Sequence, residues 1–278
     1  MKTAAVPDDP TKARDDALTL VALGVVAFAV TDVTHEALGH GLMTLLVGEH
    51  AVLLTSCYFT SYGPYSRWIP AAGGLMNLAA AFAALAVLRQ LTRLDPLMRY
   101  FLALLLAFNL FFAVGYPAYS GLTMFGDWAA VTNGLRPTWL WRVLLVLISV
   151  VGYYLSMRLL AWPLAPFAGT IGGQTARFPS RSRMARLTLI PYLAAIVLAC
   201  AAGARNPNGW HTMLTSGMPS AAAAFGITQM DHFISSVPKA TYPVVSEPLR
   251  RSWPWISFAV VVLIFFIGIL GPGIRFSS

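Results

Sequence analysis

Six apolar runs dominate the chain, at residues 17–47, 70–91, 96–116, 140–163, 187–203 and 253–270. Hydrocarbon offers backbone N–H and C=O groups no hydrogen-bond partner, so only helices and closed barrels can span it. A spanning helix needs about 20 apolar residues, whereas a barrel strand needs about 10 with alternating character. The runs have helical length and no alternation. They predict an all-α fold, a polytopic transmembrane helical bundle of six spans. Composition agrees: 57% of residues are hydrophobic and 11% charged, against about 25% charged in soluble domains.

The net charge of +8 does not imply nucleic acid. Much of it is arginine in short loops, where it sets topology. Alternating the six runs across the membrane puts Lys2, Lys12, Arg14, Arg89, Arg93, Arg99, Arg177, Arg181, Arg183, Arg186 and Arg275 on one side. Arg67, Arg136, Arg142, Arg205, Lys239, Arg250 and Arg251 fall on the other. This bias predicts a cytoplasmic N-terminus in a cell membrane of bacterial type. The start of the chain is polar, with four aspartates by residue 16, and lacks the pattern of a cleaved signal peptide. The first run therefore reads as a retained helix. Cys57 and Cys200 are one distant pair, too little to argue a disulfide.

Four regions follow: a polar tail (1–16), a membrane domain of five spans (17–203), an extramembrane loop (204–251), and a last helix with its tail (252–278). Val52, Leu53, Leu54, Thr55, Tyr58, Phe59 and Thr60 favour strand, and Gly63-Pro64 favours a turn. A short β-hairpin is expected after the first span. Its use is either a surface hairpin or an edge for an unwound substrate. Tyr116, Tyr119, Trp139, Trp141, Trp253 and Trp255 fit interfacial belts.

The first span carries Thr34-His35-Glu36-Ala37-Leu38-Gly39-His40 towards its end. Ionisable groups inside a span are costly and mark functional sites. In the zinc-hydrolase motif H-E-x-x-H, two histidines one turn apart share a helix face, with a glutamate as general base. Here the spelling is H-E-x-x-G-H. On a regular α-helix residues five apart diverge by about 140°, against about 40° for residues four apart. A π-bulge brings i and i+5 back together, and Gly39 and Gly41 ease that distortion. The alternative is a pair of histidines that hydrogen-bond across helices.

A zinc site needs a third protein ligand and an open position for water. Asp32 lies one turn before His35 on the same helix. Asp127, in Phe125-Gly126-Asp127-Trp128, follows the third span. The first and third spans run in the same direction, so Asp127 emerges near the level of His35 and His40 whichever way the protein is inserted. That makes Asp127 the expected third ligand; the inert alternative is an interfacial loop aspartate. His50, His211 and His232 lie in polar loops.

These elements resemble the site-2 protease family of intramembrane zinc metalloproteases. Glu36-Ala37-Leu38-Gly39-His40 looks like the family's zinc helix. Gly73-Gly74-Leu75-Met76-Asn77 is similar to its small-residue and asparagine element. Asn109, Pro117 and Asp127 follow in the order of its later N-P-D motif, more loosely spaced, with Gly126 before the aspartate instead of after it. The resemblance covers roughly residues 30 to 130. The family sets its site near the cytosolic face, whereas the charge distribution sets this one near the outer face. The H-E-x-x-G-H spelling is also similar to the zinc motif of dipeptidyl peptidase III, a large soluble enzyme.

The resemblance implies a zinc-dependent (Zn2+) intramembrane hydrolase, a metallopeptidase with His35, His40 and Asp127 as ligands and Glu36 as general base. Asn77 and Asn109 would hold a substrate or brace a ligand; the simpler role is interhelical hydrogen bonding. The partners implied are membrane lipids and a transmembrane protein substrate. Two other functions remain open: hydrolysis of a lipid amide or ester, and a non-catalytic metal-binding or structural role.

Overall fold

The computed structural model describes residues 14–91, 93–171, 180–237 and 244–276. The charges at Lys2, Lys12, Arg177 and Lys239, and most of the expected polar tail, lie outside the described residues. Six helices are long and apolar enough to cross a membrane. They are α1 (Ala17–Leu46), α2 (Trp68–Gln90), α3 (Pro96–Thr123), α5 (Thr138–Phe167), α6 (Arg181–Ala204) and α7 (Trp253–Leu270), with a short α4 (Asp127–Thr132) after α3. The protein is a polytopic helical membrane bundle, as the apolar runs predict.

Helix starts follow the local chemistry. Asp16 caps α1 by accepting the Thr19 N–H at 2.9 Å, and Asp95 caps α3 ahead of Pro96 by accepting from Met98 at 3.0 Å. Pro117 lies inside α3 and cannot donate. Ser149 of α5 repairs the break: its hydroxyl donates to the Val114 carbonyl and accepts the Ala118 N–H. Within a membrane such repair must come from protein.

Helix α1 is the central element. It packs against α2, α3, α6 and α7. Leu20, Leu23, Val26 and Phe28 are buried, and Phe28 meets Phe108, Phe112 and Phe266 edge-on at centroid distances of 6.1, 5.8 and 6.3 Å. Gly24 permits a close crossing with α6: a Cβ there would lie 2.5 Å from Pro191 Cα. By contrast α5 and α7 expose rows of Val, Leu, Ile and Phe, as lipid-facing helices do.

The expected hairpin forms from β1 (His50–Leu54) and β2 (Phe59–Tyr62), antiparallel, with an irregularity between Ala51 and Leu53. A third strand, β3 (Ile274–Arg275), pairs on the other side of β1. Among the described strands β1 is central and β2 and β3 are the edges, with β3 pairing only Leu53 and Leu54 of β1.

The path after α6 changes the placement of several charges. Residues 210–234 form a continuous helical path that alternates between α, π and 3-10 turns, with Gly217, Pro219 and Gly226 along it. They begin beside the hairpin, where the Ser216 hydroxyl bonds the Cys57 carbonyl. They end beside the start of α6, where Asp231 is 3.8 Å from Arg181. Ala221, Ala224, Ile227, Met230 and Ile234 are buried along the way. The chain thus returns to the α1-start end before α7 begins. There Arg251 pairs with Asp16 at 3.0 Å, and Arg183 binds Asp15 and the carbonyls of Gly169, Val245 and Glu247. Arg250 and Arg251 therefore lie at the N-terminal end of α1, and Arg275 lies at the hairpin end, the reverse of the sequence-based assignment. The interruptions by Gly and Pro kept this stretch from registering as an apolar run of spanning length.

Candidate metal centre

The motif segment Thr34–Gly41 is a π-helix, continuous with regular α-helix on both sides. The wider turn puts His35 and His40 on one face, with ring centroids 4.7 Å apart and planes perpendicular. The ligand atoms of His35, Glu36 and His40 all lie within 4.8 Å of one another, and all three residues are buried. A buried His–Glu–His cluster of metal-binding donors thus sits inside the membrane helices.

Glycines admit this cluster to the bundle. A Cβ at Gly39 would meet Gly73 Cα at 2.5 Å, so α2 crosses the π-helix backbone to backbone. A Cβ at Gly73 would sit 2.6 Å from His40 Cε1 and 2.7 Å from His35 Nε2. The missing methyl at position 73 is the space the two imidazoles occupy.

Each imidazole is oriented from behind. His40 Nδ1 donates to the Ile69 carbonyl at 2.7 Å, since a carbonyl can only accept. Asn77 donates its amide to the Thr31 carbonyl and to Asn109 Oδ1 at 3.0 and 2.8 Å. Its oxygen is therefore the acceptor for His35 Nδ1 at 2.7 Å. Asn109 closes the network by donating to Thr31 Oγ1 and the Leu105 carbonyl. Both histidines carry the proton on Nδ1 and present an Nε2 lone pair to the same point. This is how metal-binding histidines are held. Asn77 and Asn109 are wholly buried and line neither of the cavities at this site. Their amide groups bond within this network, which braces His35.

Asp127 comes from the other side. Met124 and Gly126 both have positive φ, 58° and 85°, and turn the chain from α3 into α4. Asp127 Oδ2 then lies 2.9 Å from His35 Nε2 and 3.3 Å from His40 Nε2. Two imidazole lone pairs and a carboxylate oxygen facing one another require a shared proton or a cation. Ligands about 2.0–2.2 Å from a tetrahedral zinc stand about 3.3–3.6 Å apart, so the donor set fits zinc with a small opening. The three-residue cluster does not include Asp32, His50, His211 or His232; Asp32 is buried one turn before it, with its Oδ2 lacking a hydrogen-bond partner. One carboxylate oxygen of Glu36, Oε2, is buried and lacks any hydrogen-bond partner.

Tyr116, expected only as an interfacial belt residue, belongs to the site. Its ring centroid is 5.7 Å from that of His35, and its hydroxyl would be 2.8 Å from a Cβ on Gly126. Phe59 of β2 stacks over His40 at 6.4 Å. Neither residue sits in a recognisable motif; a tyrosine one residue before Pro117 reads equally well as a belt residue. Compared with family models, curated proteins and solved structures, the chain gives no match.

Proposed function

We propose that this protein is a zinc-dependent intramembrane metallopeptidase, similar in its working parts to the site-2 protease family. The observation that carries the reading is the convergence of His35 Nε2, His40 Nε2 and Asp127 Oδ2 on the same buried site as Glu36, whose Oε2 lacks a hydrogen-bond partner. His35, His40 and Asp127 would hold the metal. A zinc ion there supplies Lewis-acid polarisation of a carbonyl and raises the acidity of water. Glu36 is placed to take a proton from the attacking water and to return it to the leaving amine. Asn77 and the Ile69 carbonyl hold the imidazoles in the one tautomer that leaves Nε2 free.

The site opens at the hairpin end through a cavity of about 600 Å3 that also contains Tyr58, Ser61 and His211. Arg14, Arg89, Arg93, Arg181, Arg186, Arg250 and Arg251 gather at the opposite end, and fewer arginines (Arg67, Arg136, Arg142, Arg205 and Arg275) lie at the hairpin end. By the positive-inside rule the N-terminus is cytoplasmic and the site faces outward.

Metal analysis with mutagenesis tests the reading. Purified protein should hold one zinc per chain and lose it in the His35→Ala, His40→Ala double variant. Glu36→Gln should keep zinc and lose cleavage of a single-span peptide. Folded wild-type protein without zinc, or cleavage by Glu36→Gln at the wild-type rate, would sink it.

A further inference from the structure

Glu36 borders a second cavity besides the open one. It is lined by Phe112, Gly115, Tyr116 and Tyr119 of α3 and by Pro219 and Ala223 of the 210–234 segment, and it measures about 140 Å3. Glu36, Tyr116 and Ser216 border both spaces and form the partition between them. Most polar groups on its wall are already engaged. The Tyr119 hydroxyl donates to the Thr215 carbonyl, Ser216 to the Cys57 carbonyl, and Ser220 to the Ser216 carbonyl. What remains is a mostly apolar socket whose lining includes His35 and Glu36.

Size decides what the socket takes. An apolar cavity of about 150 Å3 accommodates benzene, six carbons. An isobutyl, thioether or benzyl side chain therefore fits, and the acyl chain of a membrane lipid, more than twice as long, does not. We propose that this socket receives the side chain of a residue adjoining the scissile bond, so that the substrates are peptides with Leu, Met or Phe at that position and not lipid amides. The proposal rests on the hydrolase reading above. Cleavage adds the water oxygen to the carbonyl carbon, breaks the C–N bond and leaves the proton on the amine. The open cavity takes the rest of the chain.

The experiment uses full-length zinc-loaded protein in lipid bicelles and single-span peptides with Ala, Leu, Phe or Trp at the position flanking the cleaved bond. One missing methylene in a fitted pocket changes kcat/KM by about 10-fold or more. Wild-type protein should therefore prefer Leu and Phe over Ala by at least about 10-fold and reject Trp. Ala223→Phe fills the socket and should shift preference to Ala. Tyr119→Leu enlarges it and should admit Trp. Opposite shifts in two variants cannot come from misfolding.

A binding readout separates this proposal from the hydrolase reading. A photo-leucine peptide bound to Glu36→Gln protein should crosslink to α3 residues 112–119 or to residues 219–223, and Ala223→Phe should abolish those crosslinks. Crosslinks there without any cleavage would keep the socket and remove the hydrolase. Cleavage indifferent to the flanking side chain, or crosslinks only elsewhere, would overturn the socket and leave the hydrolase standing. Absence of both cleavage and crosslinking would overturn both.

Discussion

Gly73→Ala is the sharpest single perturbation of the metal centre. The added methyl would lie 2.6 Å from His40 Cε1 and 2.7 Å from two atoms of His35, where ordinary contact begins at 3.4 Å. Relief needs about 0.8 Å of movement, against a tolerance of about 0.2 Å in ligand distances at metal sites. The backbone cannot supply it, because Gly39 already meets Gly73 Cα with no room for a Cβ of its own. The imidazoles must move, and their Nδ1 bonds to Asn77 and Ile69 must lengthen with them. Losing such supporting bonds alone weakens metal sites about 10- to 100-fold. Displacing both ligands should reach at least the upper figure, roughly 2.7 kcal/mol. Zinc occupancy measured against a chelator of known affinity reads the effect directly. Gly74→Ala is the control: its methyl would meet only the Trp128 ring, at 3.3 Å, and zinc affinity should stay near wild type. A folded Gly73→Ala protein with wild-type zinc affinity would refute the steric cradle and the ligand set together.

Other expectations follow from the same contacts. Asn77→Leu should lower zinc affinity about 10- to 100-fold without changing zinc per chain at saturation; an unchanged affinity would mean that His35 needs no brace. Arg183→Met leaves Asp15 buried without its partner and should cost about 3–5 kcal/mol, read as a fall in thermal unfolding temperature in detergent. Burial opposes the charged Asp16 carboxyl, but the Thr19 bonds and Arg251 outweigh it and lower its pKa. Its contribution is therefore present above about pH 4 and lost as pH falls through the lower folded-state value. Asp16→Ala should cost about 1 kcal/mol at pH 7 and progressively less as pH falls below about 4, and a cost that does not fall with pH would contradict the cap. In a protein lacking Cys57 and Cys200, a cysteine at Tyr65 should react with an impermeant maleimide on intact cells and one at Arg93 should not; the reverse pattern would invert the proposed orientation.

The spans were legible because hydrocarbon leaves the backbone few solutions. The six apolar runs correspond to six helices, and the β-prone residues after the first run form the hairpin. The course of residues 210–234, read from the sequence as part of an extramembrane loop, was not legible. Their burial comes from Ala221, Ala224, Ile227 and Met230 against α3 and α6, yet Gly217, Pro219, Gly226 and several hydroxyl residues break the apolar run and leave the helical path irregular in type. A hydropathy window sees length and continuity, and this stretch has neither. Its position swaps the ends at which Arg251 and Arg275 are found, so one unseen return path changed the charge distribution more than any boundary error. Strand β3, two residues long, carries too little sequence to be read at all.

At the site, residue types were legible and directions were not. The extra residue between the histidines looks like a defect on an α-helical wheel, because it turns His40 away from His35 by about 140°. The π-helix removes the defect and uses it. The inserted position is Gly39, and it lies at the point where α2 crosses, facing Gly73. Any side chain at position 39 would push α2 outward and withdraw both the Gly73 cradle and the Ile69 carbonyl that orients His40. The i,i+5 spacing and the glycine are therefore one device: the wider turn brings the imidazoles to a common face, and the glycine lets the neighbouring helix come close enough to hold them there. Asn77 belongs to the same device, since it sits one turn beyond Gly73 on α2 and reaches His35 only at this interhelical distance. A motif search that scores spacing alone rejects such a site, whereas the glycines on both helices are what make the longer spacing workable.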